Sequence, residues 1–212
     1  MKRNSFTLIE ILGVMVIITI LATLGFAGYS YAQNKSRESA TQGLITRLNA
    51  AFEFARQKTG FIPDSGDKFR TVLIDPMTAS MIISNDSGDY FTMNTEKENG
   101  KLIVKVSRSG SSPKKYDLDS LQGKMYLNFY KHFTKTLEMD TMGRFMDGSK
   151  IVDAWGNPIY YRYPGVIKEG GFDLISAGSD GTFGSGEAST PPDSLDKYRE
   201  GAEWICDDIA NF

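Results

Sequence analysis

The stretch Ser5–Tyr29, "SFTLIEILGVMVIITILATLGFAGY", decides how the rest of the chain is read. No residue from Ile11 to Asn34 carries a charge. Such a run exceeds the ~20 residues that a helix needs to cross a bilayer. Lys2 and Arg3 precede it, and one acid, Glu10, stands at its start. Three readings compete. A secretory signal peptide has a basic start and an apolar region, but that region is usually shorter and ends in a cleavage site. Here the apolar run passes without a break into an amphipathic stretch. A plain anchor would keep Lys2 and Arg3 inside and face the rest outward. Neither reading uses Glu10, which costs about 2.5–3.5 kcal/mol deep in hydrocarbon, though near an edge it can snorkel. The third reading gives Glu10 a partner: a cut between Ser5 and Phe6 creates an amine four residues away, and a neighbouring subunit's amine would offset the carboxylate.

Composition limits what the remainder can be. The chain has 212 residues, enough for one membrane segment and one domain. A net charge of −2 gives no footprint for nucleic acid. Cys206 and His132 are the single cysteine and the single histidine. An intrachain disulfide is therefore impossible, a paired-cysteine zinc site is absent, and most nucleophile–base dyads are excluded. His132 reads as a surface or edge residue.

Beyond the apolar run, Leu44, Ile45, Leu48, Phe52 and Ala55 recur at helical spacing, with charges on the other faces. No proline interrupts Phe6 to Lys58, so one helix of about 80 Å is expected. Gly13, Gly25, Gly28 and Gly43 either let it bend or serve close packing. Gly60 suits the C-cap, with Pro63 just after it. "TGFIPDSGDKFRTVLIDPM" reads as a turn and then a short helix. "DYFTMN" and "KLIVKVS" read as strands around the turn "TEKENG". Leu118, Leu121, Met125, Phe129, Phe133 and Leu137 form a core-facing helical stripe.

The C-terminal third is the most legible. In "DAWGNPIYYRYPG", Gly156, Asn157 and Pro158 favour a turn, and the β-branched and aromatic "IYYRY" favours a strand. "GFDLISAG" is a second strand, which makes a hairpin or meander. "SAGSDGTFGSGEAS" follows as a Gly/Ser-rich loop carrying Asp180 and Glu187. Calcium takes six to eight oxygen ligands in flexible geometry, so it suits such a loop. A solvated loop without metal suits the same composition.

"SFTLIE" followed by an apolar helix resembles the type III signal of type IV pilins and type II secretion pseudopilins. The resemblance implies that a prepilin peptidase cuts between Ser5 and Phe6 and methylates the new amine, and that Phe6 and Glu10 serve assembly. Ser5 stands where the family usually has Gly. Gly60-Phe61-Ile62-Pro63 is similar to the family's Gly-x-Tyr-Pro turn, with Ile62 for Tyr. Asp-x-Trp-Gly-x-Pro, a Tyr-rich strand and Phe-Asp-Leu-x-Ser resemble the C-terminal region of type II secretion major pseudopilins in order and spacing.

That likeness implies an α+β, pilin-like fold: a long N-terminal helix, half of it transmembrane, packed on a small antiparallel β-sheet with a C-terminal calcium loop. The expected organisation is a leader at 1–5, a transmembrane and polymerisation helix at 6–30, and a soluble domain at 31–212. Within that domain, 64–150 is variable or inserted, and 151–212 is the family's sheet and loop. By the resemblance, structural Ca2+ would be held by Asp180 and Glu187, by carbonyls near Ala177 and Thr182, and by Asp207 or Asp208. An insertion, "TPPDSLDKYREGAEWIC", precedes the terminal "DDIANF", where Phe212 replaces the family's Trp.

The implied function is a structural subunit of a secretion pseudopilus that drives protein export. The implied partners are copies of itself, minor pseudopilins, the prepilin peptidase and the inner-membrane assembly platform, with no nucleic acid. The implied location is a single-pass inner-membrane protein with a periplasmic C-terminal domain. A type IV pilus or DNA-uptake pilin is the nearest alternative, but the long disulfide-closed loop common in pilins needs a second cysteine. A membrane-anchored enzyme is the remaining alternative, and no catalytic motif supports it.

Overall fold

The computed structural model describes residues 8–66, 68–85, 88–184, 188–192, 194, 197–200, 203–204 and 206–212. Helix α1 spans Leu8–Thr59 without interruption. The chain separates into two units, 1–37 and 38–212, through both of which α1 runs.

In the first unit α1 is apolar and exposed. Leu12, Val16, Ile20 and Leu24 are each more than half accessible. The helix is long and apolar enough to cross a membrane. Thr19 and Thr23 return their hydroxyls to the carbonyls of Met15 and Thr19 at 2.8 Å, which removes donors that hydrocarbon could not satisfy. Among the described residues, nothing beyond the helix's own local backbone lies within 4 Å of where a Cβ would stand at Gly13, Gly25, Gly28 or Gly43.

In the second unit, the expected apolar stripe of α1 is the centre of the core. Leu44, Ile45, Leu48, Phe52 and Ala55 are all buried. Gly60 ends the helix at φ +68° and donates its N–H to the Arg56 carbonyl at 2.7 Å. The segment after it departs from expectation. No short helix forms among the described residues there; instead β1 spans Arg70–Asp75. Thr71-Val72-Leu73-Ile74 is rich in β-branched residues, and burying Val72 and Ile74 alternately on a sheet satisfies it better than a helical face would.

Antiparallel strands β2 (Ser80–Asn85), β3 (Gly88–Glu98), β4 (Lys101–Arg108) and β5 (Lys114–Asp117) follow. β3 continues through "TEKE", so the turn to β4 is only Asn99-Gly100, both at positive φ. Helix α2 spans Leu121–Leu137 and is capped by Ser120, whose hydroxyl accepts from the Gly123 N–H at 3.0 Å. Two 3-10 turns lead to β6 (Met146–Asp147) and β7 (Lys150–Ile151). β8 (Tyr160–Arg162) and β9 (Asp173–Ser176) are the two expected C-terminal strands, paired antiparallel. A small ribbon of β10 (Arg199–Glu200) and β11 (Glu203–Trp204) precedes β12 (Ile209–Ala210).

The main sheet runs β12-β9-β8-β1-β2-β3-β4-β5, with β6 and β7 branching from β1. The middle of the chain thus continues the C-terminal sheet. Its inner face carries Val72, Ile74, Met81, Ile83, Phe91, Met93, Val104 and Val106, all packed in one cluster with α1 and α2. Phe52 joins the elements: its ring lies 4.6 Å from Phe133, 4.7 Å from Tyr161 and 5.2 Å from Phe172. The α2 stripe is shifted from expectation. Leu121 is 81% exposed, and Tyr126 and Tyr130 join Phe129, Phe133 and Leu137 inside. The first turn of α2 buries Gly123 and leaves Leu121 facing solvent.

Candidate functional site

Two regions carry the candidate residues. At the start of α1, Glu10 lies in the first described turn, and it lines one groove with Gly13, Val14 and Ile17. Those spacings place the residues on one helix face, and the glycine opens the groove one turn beyond the carboxylate. Ser5 and Phe6 lie outside the described residues.

The second region is the C-terminal loop, and a residue that the sequence did not single out as functional organises it. Asp153 is 1% exposed. Its Oδ1 accepts from the backbone N–H groups of Trp155 and Asn157, each at 2.8 Å, which sets the "DAWGNP" turn. Its Oδ2 accepts from the Ser176 hydroxyl at 2.6 Å, at the end of β9. Asn157 then donates through Nδ2 to the Gly178 carbonyl at 2.8 Å. The two sequence signatures, "DAWGNP" and "SAGSDG", are therefore one hydrogen-bonded unit. A buried acid accepting several donors is the expected way to keep charge out of water at tolerable cost.

Gly178 sits at φ +66°, and a Cβ there would lie 2.2 Å from the Asp207 carbonyl oxygen. Only glycine lets the two segments approach this closely. Asp207 Oδ2 accepts from the Ser179 N–H at 2.6 Å, the Ser179 hydroxyl at 2.7 Å and the Asp180 N–H at 3.1 Å. Asp180 Oδ1 accepts from the Thr182 N–H at 2.8 Å. Asp208 is 6% exposed, and its Oδ2 accepts from the Gly184 N–H at 2.7 Å. Its Oδ1 is buried and has no hydrogen-bond partner among the described residues. Burial pushes the Asp208 carboxyl up to about 6, and the charges of Asp207 and Asp180 add to the rise. The Cys206 thiol is likewise pushed up, to about 12, by burial first and the Asp208 contact second. A thiol raised in this way stays protonated at neutral pH, which disfavours nucleophilic attack.

The structure thus gathers Asp180, Asp207 and Asp208 around one loop, with Ala177 buried beneath it. Glu187 lies outside the described residues. Among the described residues, no three acidic, histidine or cysteine side chains converge closely enough to enclose a metal. Asp207 and Asp180 instead spend oxygens on loop N–H groups. The orphaned Asp208 oxygen nevertheless marks a place where a hard cation would satisfy a buried acceptor.

Comparison with known proteins addresses the same two regions. The model of the prokaryotic N-terminal methylation motif matches residues 1–26. The model of type II secretion system protein G matches residues 130–190, from within α2 through the Asp153 network and the Asp180 loop. The chain is also similar to the type II secretion system core protein G of Pseudomonas aeruginosa, with 23% identity over 186 residues, 88% of this chain and 90% of that protein. Together these matches support reading the chain as a pseudopilin similar to type II secretion protein G. No solved structure matches it. The matched models and relative support a structural subunit of a type II secretion pseudopilus, and the methylation motif implies prepilin processing and assembly with other pseudopilins. The single apolar helix agrees with membrane anchoring.

Proposed function

We propose that this pseudopilin is cut between Ser5 and Phe6, is methylated on the new amine, and polymerises with Glu10 of one subunit paired to the Phe6 amine of its neighbour. The observation that carries this reading is the presence in one chain of the methylation motif at 1–26 and the protein G match at 130–190. The first supports a processed, polymerising N-terminus and the second a secretion-type C-terminal region. Copies of the chain, minor pseudopilins and an inner-membrane assembly platform are the partners of this cycle. The 38–212 unit faces the periplasm, and fibre growth pushes secreted proteins outward. An intact mass of the membrane-extracted protein tests the processing step, with a chain starting at a methylated Phe6 as the expected result. A mass that retains residues 1–5 in assembled fibres rejects it. For assembly, Glu10→Ala is expected to leave membrane insertion intact and abolish fibres; normal fibres from that variant reject the pairing.

The C-terminal loop is proposed to take structural Ca2+. Asp180, Asp208 and Glu187 would supply carboxylate oxygens, and the carbonyls near Ala177 and Thr182 would complete the set, with Asp207 holding the loop closed or joining the shell. The buried, unpaired Asp208 Oδ1 is the support for this reading. Bound calcium would supply the positive charge that three neighbouring carboxylates lack, and so stiffen the loop.

A further inference from the structure

The end of the sheet opposite β12 carries two cations without ion-pair partners among the described residues. β4 and β5 pair Lys105 with Lys115 and Val106 with Lys114. Because side chains alternate across a strand, Lys105 and Lys115 share the outer face. There Glu96 and Glu98 meet them at 3.7 and 2.6 Å. Arg108 and Lys114 fall on the opposite face, in line with buried Val104 and Val106 and with Tyr116. Among the described residues neither of these two cations has an ion-pair partner.

That face is open because α2 covers it only in part. Between the α2 residue Tyr126, the two cations and the Ser111-Ser112 turn lies a cleft of about 310 Å3. Tyr126 is only 8% exposed, and its ring lies 5.5 Å from that of Tyr116. The polar side chains of the lining are a guanidinium, an ammonium, two serine hydroxyls and two phenols, with no carboxylate among them. All are donors, or can act as donors. The size lies at the lower end of the ~300–1,000 Å3 of ligand pockets, so it suits a group of a few heavy atoms.

We propose that this cleft binds a compact oxyanion, a carboxylate or phosphate group, clasped by the Arg108 fork and Lys114 over the Tyr116–Tyr126 wall. A planar guanidinium matches an oxyanion through two parallel N–H bonds, and the ammonium adds a point charge. The group is carried either by a free small anion or by an acidic side chain of an adjacent protein subunit. Both cations are solvent-exposed, so binding weakens as salt rises.

The test uses the full chain in detergent micelles at constant ionic strength, titrated calorimetrically with succinate, inorganic phosphate and a capped aspartyl peptide. The Arg108→Gln/Lys114→Gln variant is compared with Lys105→Gln/Lys115→Gln, which removes the same charge from the outer face, where surface pairs contribute little to stability. Saturable binding of at least one probe is expected, weakened about tenfold or more by the first variant and less than about threefold by the second. Binding of succinate or phosphate alone assigns a free anion; binding of the peptide as well assigns an acidic side chain. Absence of saturable binding by all three probes, or equal losses in both variants, overturns the proposal.

Discussion

Asp208 and Asp153 are two buried carboxylates with opposite circumstances. Asp153 has both oxygens engaged, whereas Asp208 has one oxygen without a partner. Replacing Asp153 by Ala leaves the N–H groups of Trp155 and Asn157 without their acceptor, and a cost of about 2–4 kcal/mol is expected by denaturant unfolding of the full chain. Replacing Asp208 by Asn removes an incompletely compensated buried charge. That variant is expected to melt at or above the wild-type temperature in chelator and to lose any rise on adding calcium. Asp180→Ala is expected to melt with the wild type in chelator and below it in calcium. Equal melting of the wild type with calcium and with chelator removes the metal from this loop. These three variants separate the loop's own hydrogen bonds from its cation.

Among the elements, α2 shows most clearly how packing follows from residue type. Phe129 and Phe133 are fully buried and stack at 6.1 Å, with Phe52 tilted against both. Phe133→Ala is expected to cost about 3–5 kcal/mol, read as a lower denaturant midpoint at unchanged slope. Leu121→Ala, at an exposed position, is expected to change stability by less than about 0.5 kcal/mol. The helical period was legible in the sequence, but its phase at the first turn was not, because Leu121 has the apolar character of a core residue while Gly123 is the residue of that turn that is buried. β1 was misread as a helix for a related reason. A short apolar run such as "TVLI" carries both periods, and pairing with β2, β7 and β8 selects the strand.

For the molecule as a whole, one ionic knot holds the connection between β8 and β9. Arg162 and Asp173 are both fully buried. Asp173 also accepts from the N–H groups of Val166, Ile167 and Lys168 at 3.0, 3.2 and 2.8 Å. One carboxylate therefore neutralises the guanidinium and closes the intervening loop. Asp173→Asn leaves a buried Arg162 without its counter-charge, and a loss of about 3–5 kcal/mol is expected by chemical denaturation. The chain end is tied into the same unit, since Asn211 donates to the Phe172 carbonyl and to Asn49 on α1, each at 3.1 Å.

The amino-acid sequence by itself determined the apolar helix, the odd acid within it, the amphipathic continuation and the C-terminal hairpin with its Gly-rich loop. Each rests on local periodicity or turn chemistry, which needs no distant partner. The tertiary structure alone decided three further things: that Asp153 binds the "DAWGNP" turn to the Gly178 loop, that Asp208 is buried with an unpaired oxygen, and that residues from the middle of the chain extend the same sheet to β5. Their common physical reason is that burial and hydrogen-bond satisfaction depend on groups far apart in sequence. Residues 153 and 176 lie 23 apart in sequence, and the pairing of β8 with β9 brings them together.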